Sequence, residues 1–298
     1  MRRSHRSRRT RGFTLVELVI VIVLLGVMAA GVAVFYVPAV QGYIGTRSRA
    51  ELAAQAAHAL RRMARDVQSA VPNSIRTPDA SCVELVPTAS GGRFRRGPDT
   101  VNDAAPGCAP AADCAAPLDL AQATTVFDVL SPLAVTPAVG DFVVIDNQNP
   151  GDVYAGSNRA AIAALATPDA RFGRLRLTVA STQFPGGYDG ARFVVVPAAQ
   201  RAVFYVCSGA DGTLDAQGHG KGTLHRAMNY GFNAAYPAAC PSTAGADVLA
   251  TGVKSCRFVY DPNLGATQQS GFVAMQLELA RNGEVASLLM GAHVRNVP

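Results

Sequence analysis

The 23 residues from Leu18 to Val40 carry no charged side chain, and that run limits what the chain can fold into more than any other stretch. As an α-helix rising about 1.5 Å per residue it reaches roughly 34 Å, enough to cross the hydrocarbon core of a bilayer. One acidic residue, Glu17, stands at its start. Six arginines (Arg2, Arg3, Arg6, Arg8, Arg9 and Arg11), with His5, crowd the segment before Phe13. Positive charge is retained on the cytoplasmic side, and this flank outweighs Arg47 and Arg49 on the other. The sequence therefore predicts a single span with everything beyond it projecting outward. A secretory signal peptide would have a shorter apolar core with its small-residue cleavage site after that core, which is not the pattern here.

Beyond the span the chain has material for a sizeable core, since 49% of its 298 residues are hydrophobic. The formal charge of +6 invites a nucleic-acid reading, but the basic leader accounts for it. Removing its 6 arginines leaves 27 − 6 = 21 basic against 21 acidic side chains. A neutral surface with no recognition helix has no counterions to release, so no nucleic acid is expected as a partner. All six cysteines (Cys82, Cys108, Cys114, Cys207, Cys240 and Cys256) lie past the span, in what the topology makes an oxidising compartment. They are candidate disulfides. Six cysteines allow 15 pairings, among which spacing only ranks a short Cys108–Cys114 loop and a Cys207–Cys256 pairing of strand-like runs. A zinc site is disfavoured, because no C-x2-C pair exists and His58, His219, His225 and His293 lack ligand spacing.

Apolar periodicity continues past the membrane. Leu52, Ala56, Leu60, Met63, Val67 and Val71 recur at three- and four-residue steps, with Arg47, Arg49, Glu51, Arg61, Arg62, Arg65 and Asp66 assigned largely to other faces. Pro72 removes a donor and pushes Val71 toward extended backbone, so the helix is expected to run from 13 to 71. Gly26, Gly31 and Pro38 predict a bend or looser segment within it.

After Pro72 the pattern changes to short runs rich in Val, Ile, Phe and Tyr between turn residues. Strands are expected near 82–87, 125–130, 141–146, 173–180, 192–197, 201–207, 253–260, 271–280 and 284–295. Asn282-Gly283 between the last two is the strongest hairpin signal and implies antiparallel pairing. Ala104–Pro117, rich in Ala and Pro, reads as a surface loop within an insertion over about 88–120. A head spanning 72–298 exceeds one four-stranded sheet, so two sheets or a heavily elaborated one are expected. The fold class is thus α+β, with a long N-terminal helix, its first half membrane-spanning, packed on a large antiparallel β-rich head.

Gly12-Phe13-Thr14-Leu15-Val16-Glu17 resembles the processing site of type IV pilins and type II secretion pseudopilins: a basic leader ending in glycine, an apolar first residue and a glutamate at the fifth. The resemblance implies a leader (1–12) removed after Gly12 by a prepilin peptidase/methyltransferase that methylates the new amine of Phe13. The charge on that amine survives methylation. It also implies Glu17 as the assembly contact. A carboxylate at the edge of hydrocarbon costs a few kcal/mol unless paired, and the ammonium of Phe13, on the same or a neighbouring chain, is a partner. Further segments, among them Arg62-Met63-Ala64-Arg65-Asp66, Gly91-Gly92-Arg93-Phe94-Arg95, Cys256-Arg257-Phe258-Val259-Tyr260 and the closing His293 to Pro298, are similar to the MshO-type minor pilins of the mannose-sensitive haemagglutinin (MSHA) pilus. That likeness implies an inner-membrane subunit with a periplasmic head. Other minor and major pilins, the inner-membrane assembly platform and the lipid bilayer would be its partners. It would later sit at or near a pilus tip, initiating or capping assembly. A J-type minor pseudopilin and a tip adhesin are the alternatives.

No catalytic residue and no cofactor is expected in the head. Gly218-His219-Gly220-Lys221-Gly222 lacks the strand-to-helix context of a phosphate loop and reads as a flexible hairpin loop. Asp211 and Asp215 flank turn residues without the ligand ladder of a calcium loop, so no metal site is assigned. His293 reads as an ordinary strand residue. Arg93, Arg95 and Arg96 read as a charged hairpin end.

Overall fold

The computed structural model describes residues 12–187, 190–262 and 270–295; the leader arginines, His5 and the closing Asn296 to Pro298 lie outside them. The chain divides into two units, 1–50 and 51–298. Helix α1 (Leu15–Gln68) contributes to both. Its helical assignment is unbroken through Gly26, Gly31 and Pro38.

In the second unit the outer part of α1 turns Leu52, Ala56, Ala59, Leu60, Met63, Ala64 and Val67 into the main core. That is the face predicted by the three- and four-residue spacing. The helix ends at Gln68, three residues before the expected boundary, for a tertiary reason. Ala70 bridges to Pro87, and the Val71 N–H donates to the Val86 carbonyl at 2.8 Å, so strand-like pairing claims these residues before Pro72 acts. The Arg65 carbonyl in the last turn accepts from both the Ser69 N–H at 3.0 Å and the Ser69 hydroxyl at 2.9 Å.

Among the described residues thirteen strands follow: β1 (Arg76–Asp79), β2 (Cys82–Leu85), β3 (Ser90–Arg93), β4 (Thr124–Val129), β5 (Phe142–Val144), β6 (Arg159–Ala166), β7 (Leu175–Thr182), β8 (Arg192–Val196), β9 (Val203–Ser208), β10 (Gly222–Ala227), β11 (Asp247–Asp261), β12 (Ser270–Arg281) and β13 (Glu284–Arg295). A single-turn helix, α2 (Asp152–Ala155), lies between β5 and β6. All strand pairs are antiparallel. They form a seven-stranded sheet ordered β1-β2-β9-β10-β11-β12-β13 and a six-stranded sheet ordered β3-β8-β5-β6-β7-β4.

The seven-stranded sheet carries the 51–68 part of α1 on one face. Val83, Leu85, Tyr205, Leu224, Val253, Phe258, Met275 and Leu277 meet the helix residues in one buried cluster. The six-stranded sheet closes on itself: Phe94 bridges Val129, and the Arg95 N–H donates to the Asp128 carbonyl at 2.9 Å while the Leu130 N–H donates to that of Arg93 at 2.8 Å. Closure removes its free edges. Phe94, Phe127 and Phe193 fill its interior edge-to-face, with ring centroids 6.3 and 5.7 Å apart.

This second sheet is inserted into the first. Leu85 ends β2 opposite Val203, which begins β9, so residues 86–202 leave and return at neighbouring positions. The insertion expected over 88–120 is only its first part. Val71, Val86, Val144, Val153, Tyr154, Val196 and Ala202 form the buried seam that joins insertion to host sheet.

Candidate functional site

Gly12, Phe13 and Thr14 precede the helix. Nothing approaches Gly12 within 4 Å of where a Cβ would stand, and Phe13 is 79% exposed, so the Gly12–Phe13 peptide is neither wound into the helix nor covered. The first turn explains where the helix begins. The Glu17 N–H donates to Thr14 Oγ1 at 3.2 Å, and the Leu18 N–H donates to the Thr14 carbonyl at 3.1 Å. Thr14 is therefore the N-cap and Glu17 stands at the third helical position, half of a capping box. Sequence reasoning missed this role of Thr14, although Thr-x-x-Glu ahead of an apolar run is its recognised signal. A carboxylate in the first turn also lies favourably against the positive end of the helix dipole. Between Leu15 and Val37 the helix exposes large apolar side chains, among them Leu18, Ile22, Leu25, Val32 and Phe35, and it is long and apolar enough to cross a membrane.

In the head, buried ionic nodes hold elements together, two of them around Asp66 and Glu84. Asp66, assigned from its sequence spacing to an outer face, turns inward. It accepts hydrogen bonds from the Tyr205 hydroxyl at 2.5 Å and from Arg226 Nη2 and Nε at 2.9 and 3.1 Å. Arg226 Nη2 also reaches Gln200 Oε1 at 2.8 Å. Burial, and after it the charge of Asp66, pushes the Tyr205 phenol well above its ordinary value, so it stays a donor. At the second node Arg76 is buried with its guanidinium 3.5 Å from the centroid of the Tyr154 ring and donates to the Pro150, Asn233 and Ala235 carbonyls. It lies 3.7 Å from the equally buried Glu84, which accepts from the Tyr230 hydroxyl at 2.9 Å. Desolvation raises the Glu84 carboxyl to about 7 against the weaker pull of Tyr230 and Arg76.

Three disulfides are present: Cys82–Cys240, Cys108–Cys114 and Cys207–Cys256. The first ties the segment after β10, which supplies Tyr230 and Tyr236, to β2. The loop within 104–117 is fixed by Arg176, whose Nη1 and Nη2 donate to the Ala111 and Cys114 carbonyls at 2.6 and 2.8 Å while Nε meets Asp128 Oδ1 at 2.6 Å.

The remaining sequence candidates are placed as follows. The loop Gly218–Gly222 does join two strands, but it is pinned rather than flexible. Gly283 N–H donates to the Gly218 carbonyl at 2.9 Å, Gly220 N–H to that of Ala280 at 3.1 Å, and His219 Nε2 sits 2.9 Å from Asn282 Oδ1. Asp211 is engaged by Thr213 and by Lys221 at 3.2 Å, and Asp215 by the N–H groups of Gln217 and His219. Among the described residues no group of three His, Cys, Asp or Glu side chains is placed to hold a metal. His293 lies against Phe272 with centroids 4.9 Å apart and the rings tilted by 53°, and Arg95 turns inward to the Phe172 carbonyl at 2.9 Å.

Neither the comparison with curated proteins nor that with solved structures gives a match. Residues 7–33 match the family model described as the prokaryotic N-terminal methylation motif, and with the exposed Gly12–Phe13 peptide, the capped Glu17 and the helix-plus-sheet head this makes the chain type IV pilin-like.

Proposed function

We propose that this protein is a minor pilin of an MSHA-type type IV pilus: a membrane-anchored, non-enzymatic subunit whose N-terminal helix serves first as anchor and then as filament spine. In this reading residues 1–12 are the leader, Gly12 and Phe13 the scissile pair, and Phe13 the residue whose amine is methylated. Glu17 is the carboxylate that pairs with such an amine when the subunit leaves the lipid. The head, 72–298, faces the periplasm and later stands at or near the tip, where it initiates or caps assembly with other pilins on an inner-membrane platform.

The observation that carries this reading is the match of residues 7–33 to the N-terminal methylation motif, on a helix whose outer part is the core of the head. The same observation supports a J-type minor pseudopilin of a type II secretion system, and the genes beside this one separate the two. The test is the intact mass and first residue of the protein purified from its native membrane. A chain beginning at Phe13 and heavier by one methyl group is expected. A chain that retains the arginine leader, or lacks the apolar helix, overturns the proposal.

A further inference from the structure

Where the insertion returns to its host sheet, two arginines flank one aromatic ring. Phe142 on β5 and Phe232, in the segment after β10, pack edge-to-face with centroids 5.3 Å apart, and both are half-buried. Arg159 on β6 lays its guanidinium over Phe232 at 4.0 Å and lies 5.5 Å from the Phe142 centroid. Arg201, exposed just before β9, stands 5.4 Å from that same centroid. Among the described residues no carboxylate forms an ion pair with either arginine. Asp141, beside Phe142 in the chain, gives its two oxygens to the N–H groups of Ala198 and Ala138 at 2.9 and 2.8 Å. Burial, and after it the charge of Arg201, lowers the Arg159 guanidinium from its ordinary value, as expected of a cation held beside another with no anion between them.

The two forks are held without being used up. Arg159 Nε donates to the Val153 carbonyl at 2.8 Å, and the residue that ends α2 is Gly156, at φ +92°, where a Cβ would stand 3.0 Å from Arg159 Nη2. Arg201 Nε donates to the Ala198 carbonyl at 3.2 Å. A ring against a guanidinium holds its plane while leaving the in-plane N–H groups available. Among the described residues no protein acceptor takes Nη1 or Nη2 of either arginine.

We propose that Arg159 and Arg201 form a binding site for a doubly charged oxyanion of the phosphate class, free or as a phosphomonoester, held between the two guanidinium groups beside Phe142. Planar forks of N–H donors match the oxygens of phosphate. Two cations balance the two charges of such an anion, whereas a single carboxylate would leave one arginine uncompensated. The half-buried rings keep water from one side of the site, which strengthens each charged contact.

The test titrates inorganic phosphate into the full-length protein in detergent micelles by calorimetry, at low ionic strength and about pH 8, where a phosphomonoester is doubly charged. Glucose 6-phosphate and glucose are the parallel probes. One phosphate per chain with a Kd of about 1 mM or tighter is expected, and glucose should not bind. Arg201→Gln and Arg159→Gln should each weaken phosphate binding at least about tenfold through the loss of charge-assisted hydrogen bonds. Arg174→Gln, at an exposed arginine elsewhere on the insertion, should leave it unchanged. If Arg159→Gln lowers the unfolding midpoint, Arg201→Gln alone decides. Glucose 6-phosphate bound more tightly than phosphate identifies an esterified ligand, equal or weaker binding identifies the free ion, and both support the site. No binding of phosphate or its ester by the folded protein, binding indifferent to Arg201→Gln, or an equal loss in Arg174→Gln overturns it.

Discussion

Arg226 on β10 meets Asp66 on α1 at 2.9 Å, with Arg226 only 2% and Asp66 14% exposed, and the pair is the polar lock between helix and sheet. Tyr205, Gln200, the Met228 sulfur and Arg62 are further partners of the pair. Removing one side of a buried pair costs about 3–5 kcal/mol, because the other charge is left stranded. Asp66→Ala is therefore expected to lower head stability by that amount in denaturant unfolding. Asp66→Ala combined with Arg226→Met should recover a large part of it, and a double mutant as unstable as the sum of the singles would refute the coupling.

Glu84 gives the head a pH dependence of unusual sign for a carboxylate. Below pH 4.5 it is protonated in folded and unfolded chains alike. Between 4.5 and about 7 only the unfolded chain ionises, so stability falls as pH rises across that window and levels off above it. The contribution is up to about 3 kcal/mol. Thermal unfolding at pH 5 and pH 7.5 measures it, and Glu84→Gln should flatten the difference while keeping the hydrogen-bonding geometry toward Tyr230.

The disulfides differ in how much of the unfolded chain they restrain. Cys82–Cys240 spans 158 residues and Cys108–Cys114 only 6. Loop-closure entropy then assigns about 5 kcal/mol to the first and about 2 kcal/mol to the second. Replacing Cys82 and Cys240 by Ser should lower the denaturation midpoint by the larger amount and free the segment that carries Tyr230 and Tyr236. Replacing Cys108 and Cys114 should lower it by less than half as much.

At the N-terminus the cap and the proposed assembly role make different predictions. Thr14→Ala removes a helix cap worth about 1 kcal/mol and should leave cleavage and filament incorporation intact. Glu17→Val should leave membrane insertion and cleavage intact yet abolish incorporation, read by immunoblot of sheared filaments. Normal incorporation of Glu17→Val would end the pairing role.

The helix and its buried face were legible because periodicity is a local signal: Leu52, Leu60, Met63 and Val67 are each at most 1% exposed. The nine expected strands lie at β2, β4, β5, β7, β8, β9, β11, β12 and β13. The other four lacked a readable signal. Arg159–Ala166 is mostly alanine, a poor strand former. Ser90–Arg93 holds Gly91 and Gly92, needed because a Cβ at Gly91 would stand 2.9 Å from the Phe193 carbonyl oxygen. Arg76–Asp79 contains a proline, and Gly222–Ala227 begins at the glycine-rich loop. Asp66 was misassigned because its partner Arg226 lies 160 residues away, and no helical period reports that. The Cys82–Cys240 bridge was open for the same reason. At the match to the N-terminal methylation motif the reverse held, since Gly12, Phe13, Thr14 and Glu17 are neighbours in the chain.

The joint at Leu85 and Val203 has an architectural meaning. A hairpin whose connection is an entire closed sheet, 86–202, keeps the two ends of that sheet side by side, so the interruption leaves the β2–β9 ladder in register. The guest is not a mere appendage, because Tyr154 and the Pro150 carbonyl complete the surroundings of Arg76 on the host's own β1.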